Sequence, residues 1–142
     1  MRAVTFTVPG QPVGKGRARV GRAGGFVRMF TPEKTATYES TIALFADQAM
    51  AGQALITGPV RLRLICRFAI PDSWSKKKRG QALQGAIYPA TKPDADNITK
   101  AVCDAVNGIV WKDDAQVVEL SVKKWYALNP GVTAIVEEMG GE

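Results

Sequence analysis

With 142 residues, 46% hydrophobic and 23% charged, the chain has the size and composition of an ordinary globular protein that buries its own core, not of a disordered one. It contains no histidine, which excludes a Ser-His-Asp or Cys-His nucleophile, a histidine general base and the usual histidine-bearing zinc sites. The formal charge of +6 is unevenly spread: residues 1–34 and 61–79 each carry seven basic side chains against one acid, while five acids lie from Asp94 to Asp114.

In chain order, Ala3 to Val8 alternates with Val4, Phe6 and Val8 on one face and stops at Pro9-Gly10, which predicts a strand. Residues 10–30 are rich in Gly and Arg with little periodicity and read as a basic loop, with a short hairpin near Gly24-Gly25. Thr31-Pro32-Glu33 has the form of a helix start, with Thr31 as N-cap. Tyr38, Ile42, Phe45, Ala46 and Ala49 follow at helical spacing up to Gly52. From Val60 to Ile70 every even position is apolar, and Arg61, Arg63 and Arg67 stand at odd ones, a half-buried strand with a basic outer face.

Pro71 closes that strand, and Ser73 to Leu83 reads as a short, strongly basic helix. A further helix runs from about Asp96 to Asn107, with Gly108 at its C-terminal cap. Ile109 to Trp111 is expected to be extended and Asp113-Asp114 a turn. Gln116 to Tyr126 alternates as a strand with Val118, Leu120 and Val122 inward. Asn129-Pro130-Gly131 turns the chain into a last strand, Val132 to Val136. The order predicts an α+β fold, one domain over residues 1–142, with a small mixed or antiparallel sheet and helices packed against it. Cys66 and Cys103 lie in apolar stretches without metal-ligand spacing and read as reduced, buried thiols. No apolar run nears the roughly 18 residues of a membrane span, and the N-terminus lacks a signal-peptide core, so the expectation is a cytoplasmic protein without a membrane partner.

Two basic blocks around an acidic cluster suit a protein that holds a polyanion and acts on it with a metal. On the helix after Pro93, Ile98, Ala101, Val102, Ala105 and Ile109 share one face, and Asp96, Lys100, Asp104 and Asn107 share the other. Asp94 and Asp96 fall at the helix N-terminus, where partial positive charge favours carboxylates and exposed N–H groups suit a phosphate. If the Asp113-Asp114 turn folds beside that end, several carboxylates converge, a costly arrangement unless a cation neutralises it. Oxygen-only ligands favour magnesium, with manganese as the alternative, over zinc.

On that reading Asp94, Asp96, Asp113 and Asp114 are the metal candidates. Lys100, one turn along from Asp96, is placed to stabilise charge on a phosphate. Lys15, Arg17 and Arg19, the stripe Arg61, Arg63, Arg67 and the run Lys76, Lys77, Lys78, Arg79 are the candidate DNA contacts. Against this stands a blander account. Asp94 or Asp96 caps the helix, Asp96 and Lys100 form an ordinary i,i+4 pair, and Asp113-Asp114 is turn chemistry. No EF-hand loop or phosphate-binding P-loop fits, and Trp74, Trp111 and Trp125 read as core or edge packing.

Lys92-Pro93-Asp94-x-Asp96-Asn97-x-x-Lys100-x-x-x-Asp104, followed by Asp113-Asp114-x-Gln116-Val117, closely resembles the signature of the RusA family of Holliday-junction resolvases. Val8-Pro9-Gly10-x-Pro12-Val13-x-Lys15-Gly16-Arg17-x-Arg19 and the later Tyr38-Glu39 resemble that family's opening, so the likeness spans nearly the whole chain. The resemblance implies a RusA-like fold and a homodimeric, Mg²⁺-dependent endonuclease that nicks four-way junctions symmetrically in DNA recombination and repair. It implies a bacterial or prophage origin and no small-molecule cofactor. It gives catalytic roles to Asp94, Asp96, Asp114 and Lys100, with Asp114 the better match of the 113–114 pair for the third aspartate. The rival reading from another class is a non-catalytic protein that grips branched DNA; a third is an RNA-directed nuclease of similar chemistry.

Overall fold

A computed structural model describes residues 2–16, 19–23, 26–30 and 33–140, the segments 19–23 and 26–30 in backbone only. Strand β1 covers Ala3–Pro9, and β2 (Arg19–Ala23) and β3 (Phe26–Phe30) pair as an antiparallel hairpin. Helix α1 covers Glu33–Met50, strand β4 Val60–Ala69, helix α2 Lys76–Leu83 and helix α3 Ala95–Val106. A single 3-10 turn at Asp114–Gln116 leads into β5 (Val117–Ala127), and β6 is Gly131–Glu138. The cap expected at Thr31-Pro32 lies outside the described residues.

The architecture is α+β, as the alternating patterns predict. Four strands form one mixed sheet in the order β1-β6-β4-β5. β1 and β4 both run antiparallel to β6, and β4 runs parallel to β5. Period two decides which residues enter the core. Val60, Leu62, Leu64, Cys66 and Phe68 of β4, with Val4, Phe6 and Val8 of β1 and Val132, Ala134 and Val136 of β6, make one buried face. Helix α1 covers it with Thr35, Tyr38, Ile42, Ala46 and Met50, about one turn apart. Helix α3 adds Ile98, Ala101, Val102, Ala105 and Val106. Ile98 is fully buried, so truncating it to alanine costs about 2–5 kcal/mol and loosens the helix that carries the acids.

Two expectations need correction. Val118 and Leu120 are not buried: they are 62% and 51% exposed, although Leu120 is in register with buried Leu62. β5 is the outermost strand of the sheet, and its register against β4 slips between Val60 and Arg61. An edge position leaves even a core-facing side chain without a neighbour on one flank. Ile109 to Trp111 is not extended either. Gly108, with φ +82°, ends α3 as expected, but Ile109 and Val110 stay in turns bonded back to the Val106 carbonyl. Trp111 alone makes bridges, to Ile56 and Asn107. The short hairpin expected near Gly24-Gly25 is present as β2 and β3, with Ala23 paired to Phe26.

Candidate active site

Helix α3 begins where Pro93 prevents the chain from turning helical any earlier. Asp94 is its N-cap in extended conformation, and its carbonyl accepts from Ile98 N–H at 3.0 Å. Its carboxylate makes no capping bond. Asp96 sits exposed in the first turn, and among the described residues neither carboxylate enters a hydrogen bond or ion pair. A capping carboxylate would bond the N–H groups of the turn it caps, so the helix-cap account of Asp94 fails on geometry.

The other face of this helix tip is gripped by the N-terminal segment Gly14–Gly16. Lys15 N–H donates to the Asn97 carbonyl at 3.0 Å, and Gly16 N–H donates to Thr35 Oγ1 at 2.9 Å. Gly14 lies so close to Pro93 and Asn97 that a Cβ there would come within 2.9 Å and 3.0 Å of their Cβ atoms. Beside this contact opens a cleft of about 860 Å³, lined by Pro12 to Gly16, Lys34, Thr35, Lys92 to Asp94 and Asn97. Lys34 and Lys92 thus flank Asp94. Sequence reasoning passed over both as phosphate contacts, because nothing local links position 34 to position 92.

Lys15 differs from its expected role. Its ammonium lies 2.7 Å from Glu39 and 3.2 Å from Asp104, tying α1 to α3. The Glu39 hydrogen bond, reinforced by Asp104, raises its pKa above the ordinary 10.5. Asp104 also lies 3.7 Å from Lys100, the side chain of which remains 64% exposed. The Asp96–Lys100 pair of the blander account is not formed among the described residues, and Lys100 pairs with Asp104 instead.

On the far side of α3, the tight turn before β5 is built by Gln116, a residue to which sequence reasoning gave no role. Its Oε1 accepts from Lys112 N–H and Asp113 N–H, and its Nε2 donates to the carbonyls of Ile56 and Gly58. All four hydrogen-bonding positions of the amide are thereby used. Asp113 Oδ1 accepts from Ala115 N–H, completing a capping box with Gln116. That accounts for Asp113 as a turn-former, and a structural carboxylate is a poorer candidate ligand. Asp114 is different: fully buried Trp111 donates from Nε1 to its Oδ1 at 2.8 Å, which orients the carboxylate. Burial, with the nearby charges of Asp114 and Asp104 adding to it, pushes the Cys103 thiol up to about 12, so this cysteine is an inert, protonated thiol at neutral pH.

Among the described residues no three His, Cys, Asp or Glu side chains stand close enough to hold a metal ion. The expected convergence of Asp94, Asp96 and the 113–114 turn is therefore not a ready-formed cluster, and Asp114 is anchored by Trp111. In chemistry the set fits a hard divalent cation, since every donor is a carboxylate oxygen. Asp94 and Asp96 have free rotors, and Asp114 has one oxygen uncommitted.

The basic residues divide by partner. Arg61 pairs with Glu119 and, at 3.7 Å, with Glu137; Arg63 meets Glu137 at 2.8 Å; Arg67 donates to Thr133 Oγ1. The stripe on the open sheet face is thus partly neutralised. On α2, Lys78 sits 4.0 Å over the Trp74 ring and Arg79 donates to the Pro71 carbonyl, while Lys76 and Lys77 are exposed. Trp74 stacks edge-on to Tyr126 and Trp125 packs against Tyr88, the packing roles expected of them. Arg17 and the side chain of Arg19 lie outside the described residues.

Fold and site together define a small basic α+β protein with an acidic helix tip at the edge of a lysine-flanked cleft, the layout of a phosphodiester-cutting enzyme. The family model described as endodeoxyribonuclease RusA matches residues 9–137, and the chain belongs to that family. It is also 40% identical over 141 residues to the uncharacterized protein YqaN of Bacillus subtilis (strain 168), covering 98% of this chain and 99% of that protein. Membership in an endodeoxyribonuclease family implies nuclease activity at Holliday junctions. No helix among the described residues is long and apolar enough to cross a membrane.

Proposed function

We propose that this chain is a homodimeric, Mg²⁺-dependent endonuclease that cuts four-way DNA junctions symmetrically in recombination or repair, with Asp94, Asp96 and Asp114 as metal ligands. The observation that carries the reading is the pair Asp94 and Asp96, exposed and, among the described residues, unpartnered at the N-terminus of α3 beside the basic cleft. The positive end of the helix holds both carboxylates at little cost, and neither makes a hydrogen bond that would commit it to the fold among the described residues. A magnesium or manganese ion bound there would supply Lewis-acid polarisation of a phosphate and a bound water of lowered pKa.

The chain's own residues do the rest. Lys34 and Lys92 hold the phosphate backbone along the cleft, and the first-turn N–H groups of α3 face it. Lys100, exposed on the same helix face, offers its ammonium to charge building on the phosphate. Trp111 fixes the direction of Asp114, as an outer hydrogen bond does for a ligating carboxylate. Lys76 and Lys77, with whatever charge Arg63 and Arg67 retain, hold junction arms electrostatically. A two-fold dimer would present two such sites to the two equivalent strands of a junction.

The absence of a three-ligand cluster among the described residues favours the rival, a binding module with structural acids, and one experiment separates the two. Purified protein is incubated with a synthetic mobile four-way junction, with and without Mg²⁺, beside linear duplex and RNA controls, and Mn²⁺ binding is measured by calorimetry. Wild type should nick only the junction, only with the ion. Asp96→Asn should abolish cleavage and weaken Mn²⁺ binding while junction affinity is kept or increased. Tight junction binding without cleavage of any substrate, and equal Mn²⁺ binding by both proteins, would establish the binding module instead.

A further inference from the structure

A second cavity opens beside the cleft at Asp94. It holds about 520 Å³ between Pro9 to Val13, where β1 ends, and Glu33 to Thr41 of α1, a volume within the range of small-ligand sites. Val13 and Lys34 belong to the walls of both spaces, so the two adjoin. The wall after β1 is fixed in place. Gly10 takes φ +101° and donates its N–H to the Pro130 carbonyl at 3.1 Å, and Gln11 Oε1 accepts from Ala69 N–H at 2.8 Å. That bond assigns the amide oxygen, so what Gln11 still offers is its NH₂ group, two donors without a partner among the described residues.

On the helix side, the Thr41 hydroxyl donates to the Thr37 carbonyl at 3.0 Å, which leaves its oxygen lone pairs as acceptors, and Glu33 adds a carboxylate. Pro9, Val13 and Tyr38 supply apolar surface. Tyr38 is 8% exposed, and its hydroxyl is buried without a hydrogen bond among the described residues. A buried polar group in that condition is uncommon and marks a place where a partner is missing. Burial pushes its pKa up to about 12, so the hydroxyl keeps its proton and can donate. An apolar slot with donors on one wall and acceptors on the other matches one part of DNA. Sugar and phosphate are polar all round, and a paired base has its faces in the stack and its edge in the pair. An unpaired base presents two apolar faces and an edge of mixed donors and acceptors. Base pairs at a four-way crossover lack a regular stacking neighbour, which lowers the cost of extruding a base. A phosphate on Lys34 would set the adjoining base at this cavity.

We propose that this cavity receives one unpaired nucleobase of the strand held in the neighbouring cleft, and that Gln11 and Glu33 read its edge. The proposal rests on the reading of the cleft as a DNA site and extends it to base preference beside the cut. Extrusion of the base needs neither metal nor hydrolysis, so it is observable apart from cleavage.

The test uses the full chain without Mg²⁺ and four-way junctions carrying 2-aminopurine at one nucleotide at a time around the crossover. Emission of this base rises when it leaves the stack. Wild type should raise the emission severalfold at one position of a strand, with thermal melts confirming the fold of each variant. Thr37→Trp, which fills the cavity from the exposed side of α1, should remove the rise. Tyr38→Phe breaks no hydrogen bond of the free protein, so it should melt no lower than wild type and yet diminish the rise. With Mg²⁺ present and cut sites mapped by sequencing, Gln11→Ala should flatten the base preference at that nucleotide about tenfold, the worth of a good base-edge contact. No position with a rise, or a rise that Thr37→Trp leaves intact with preference unchanged in Gln11→Ala, would overturn the pocket. Cleavage without any rise would sink this proposal alone. A rise abolished by Thr37→Trp, with no cleavage under Mg²⁺ or Mn²⁺, would sink the nuclease reading alone.

Discussion

An alanine at position 14 would put its Cβ 2.9 Å from that of Pro93 and 3.0 Å from that of Asn97. Carbon atoms rest at about 3.5–4.0 Å, so the two surfaces must part by roughly 0.5–1 Å. Neither neighbour yields easily, one being in a proline ring and the other rooted in the first turn of α3. The N-terminal segment must therefore lift, which stretches the 3.0 Å bond from Lys15 N–H to the Asn97 carbonyl. Overpacking of this kind costs about 1–3 kcal/mol. In a chain of this length that lowers Tm by roughly 3–10 °C. Displacing the helix tip by a fraction of an ångström should also slow junction cleavage by about tenfold or more, as misplacement of reacting groups does. Circular-dichroism melts and single-turnover cleavage at saturating protein measure both. An unchanged Tm with full cleavage would show that the segment does not press on the acidic helix as described.

Other substitutions probe neighbouring contacts. Lys15→Met should cost about 1–2 kcal/mol of stability, since two partly buried carboxylates lose their shared cation. It should leave the salt dependence of junction binding unchanged, whereas losing a true phosphate contact lowers the slope by about one. The pKa of Lys15 is raised on folding, so its contribution is full below about pH 10.5 and disappears as pH climbs through the folded value. The gap in Tm between wild type and Lys15→Met should hold from pH 7 to 9 and close only in stronger alkali. Trp111→Phe should cost about 1.5–3 kcal/mol and weaken Mn²⁺ binding about 10–100-fold by releasing Asp114, as read by melts and calorimetry. Lys100→Ala should lower the cleavage rate more than junction affinity; an affinity loss alone would move this lysine to the contact set.

What the sequence disclosed depended on how local the relevant physics is. The apolar stripe of α3, the alternation of β4 and the break at Pro93 follow from neighbours in the chain, and with them the placing of Asp94, Asp96 and Lys100. The position of Asp114 does not follow, because it is set by Trp111 and by a Gln116 side chain reaching Ile56 and Gly58 some 60 residues away. The exposure of Val118 and Leu120 was equally hidden. A period of two tells which residues share a face, not whether the strand has a neighbour. Lys15 looks from its surroundings like any basic loop residue, and only the meeting of α1 and α3 shows that Glu39 and Asp104 claim its charge.

The last strand of the chain, β6, lies between β1 and β4, near the middle of the sheet. During synthesis the first strand and the fourth therefore have nothing to bridge them until residues 131–138 leave the ribosome. A chain stopped even a dozen residues short would lack a central strand, not a dispensable tail, and its acidic helix would have no platform. Such fragments should be insoluble or rapidly degraded, so any DNA-cutting capacity is withheld until β6 has been made.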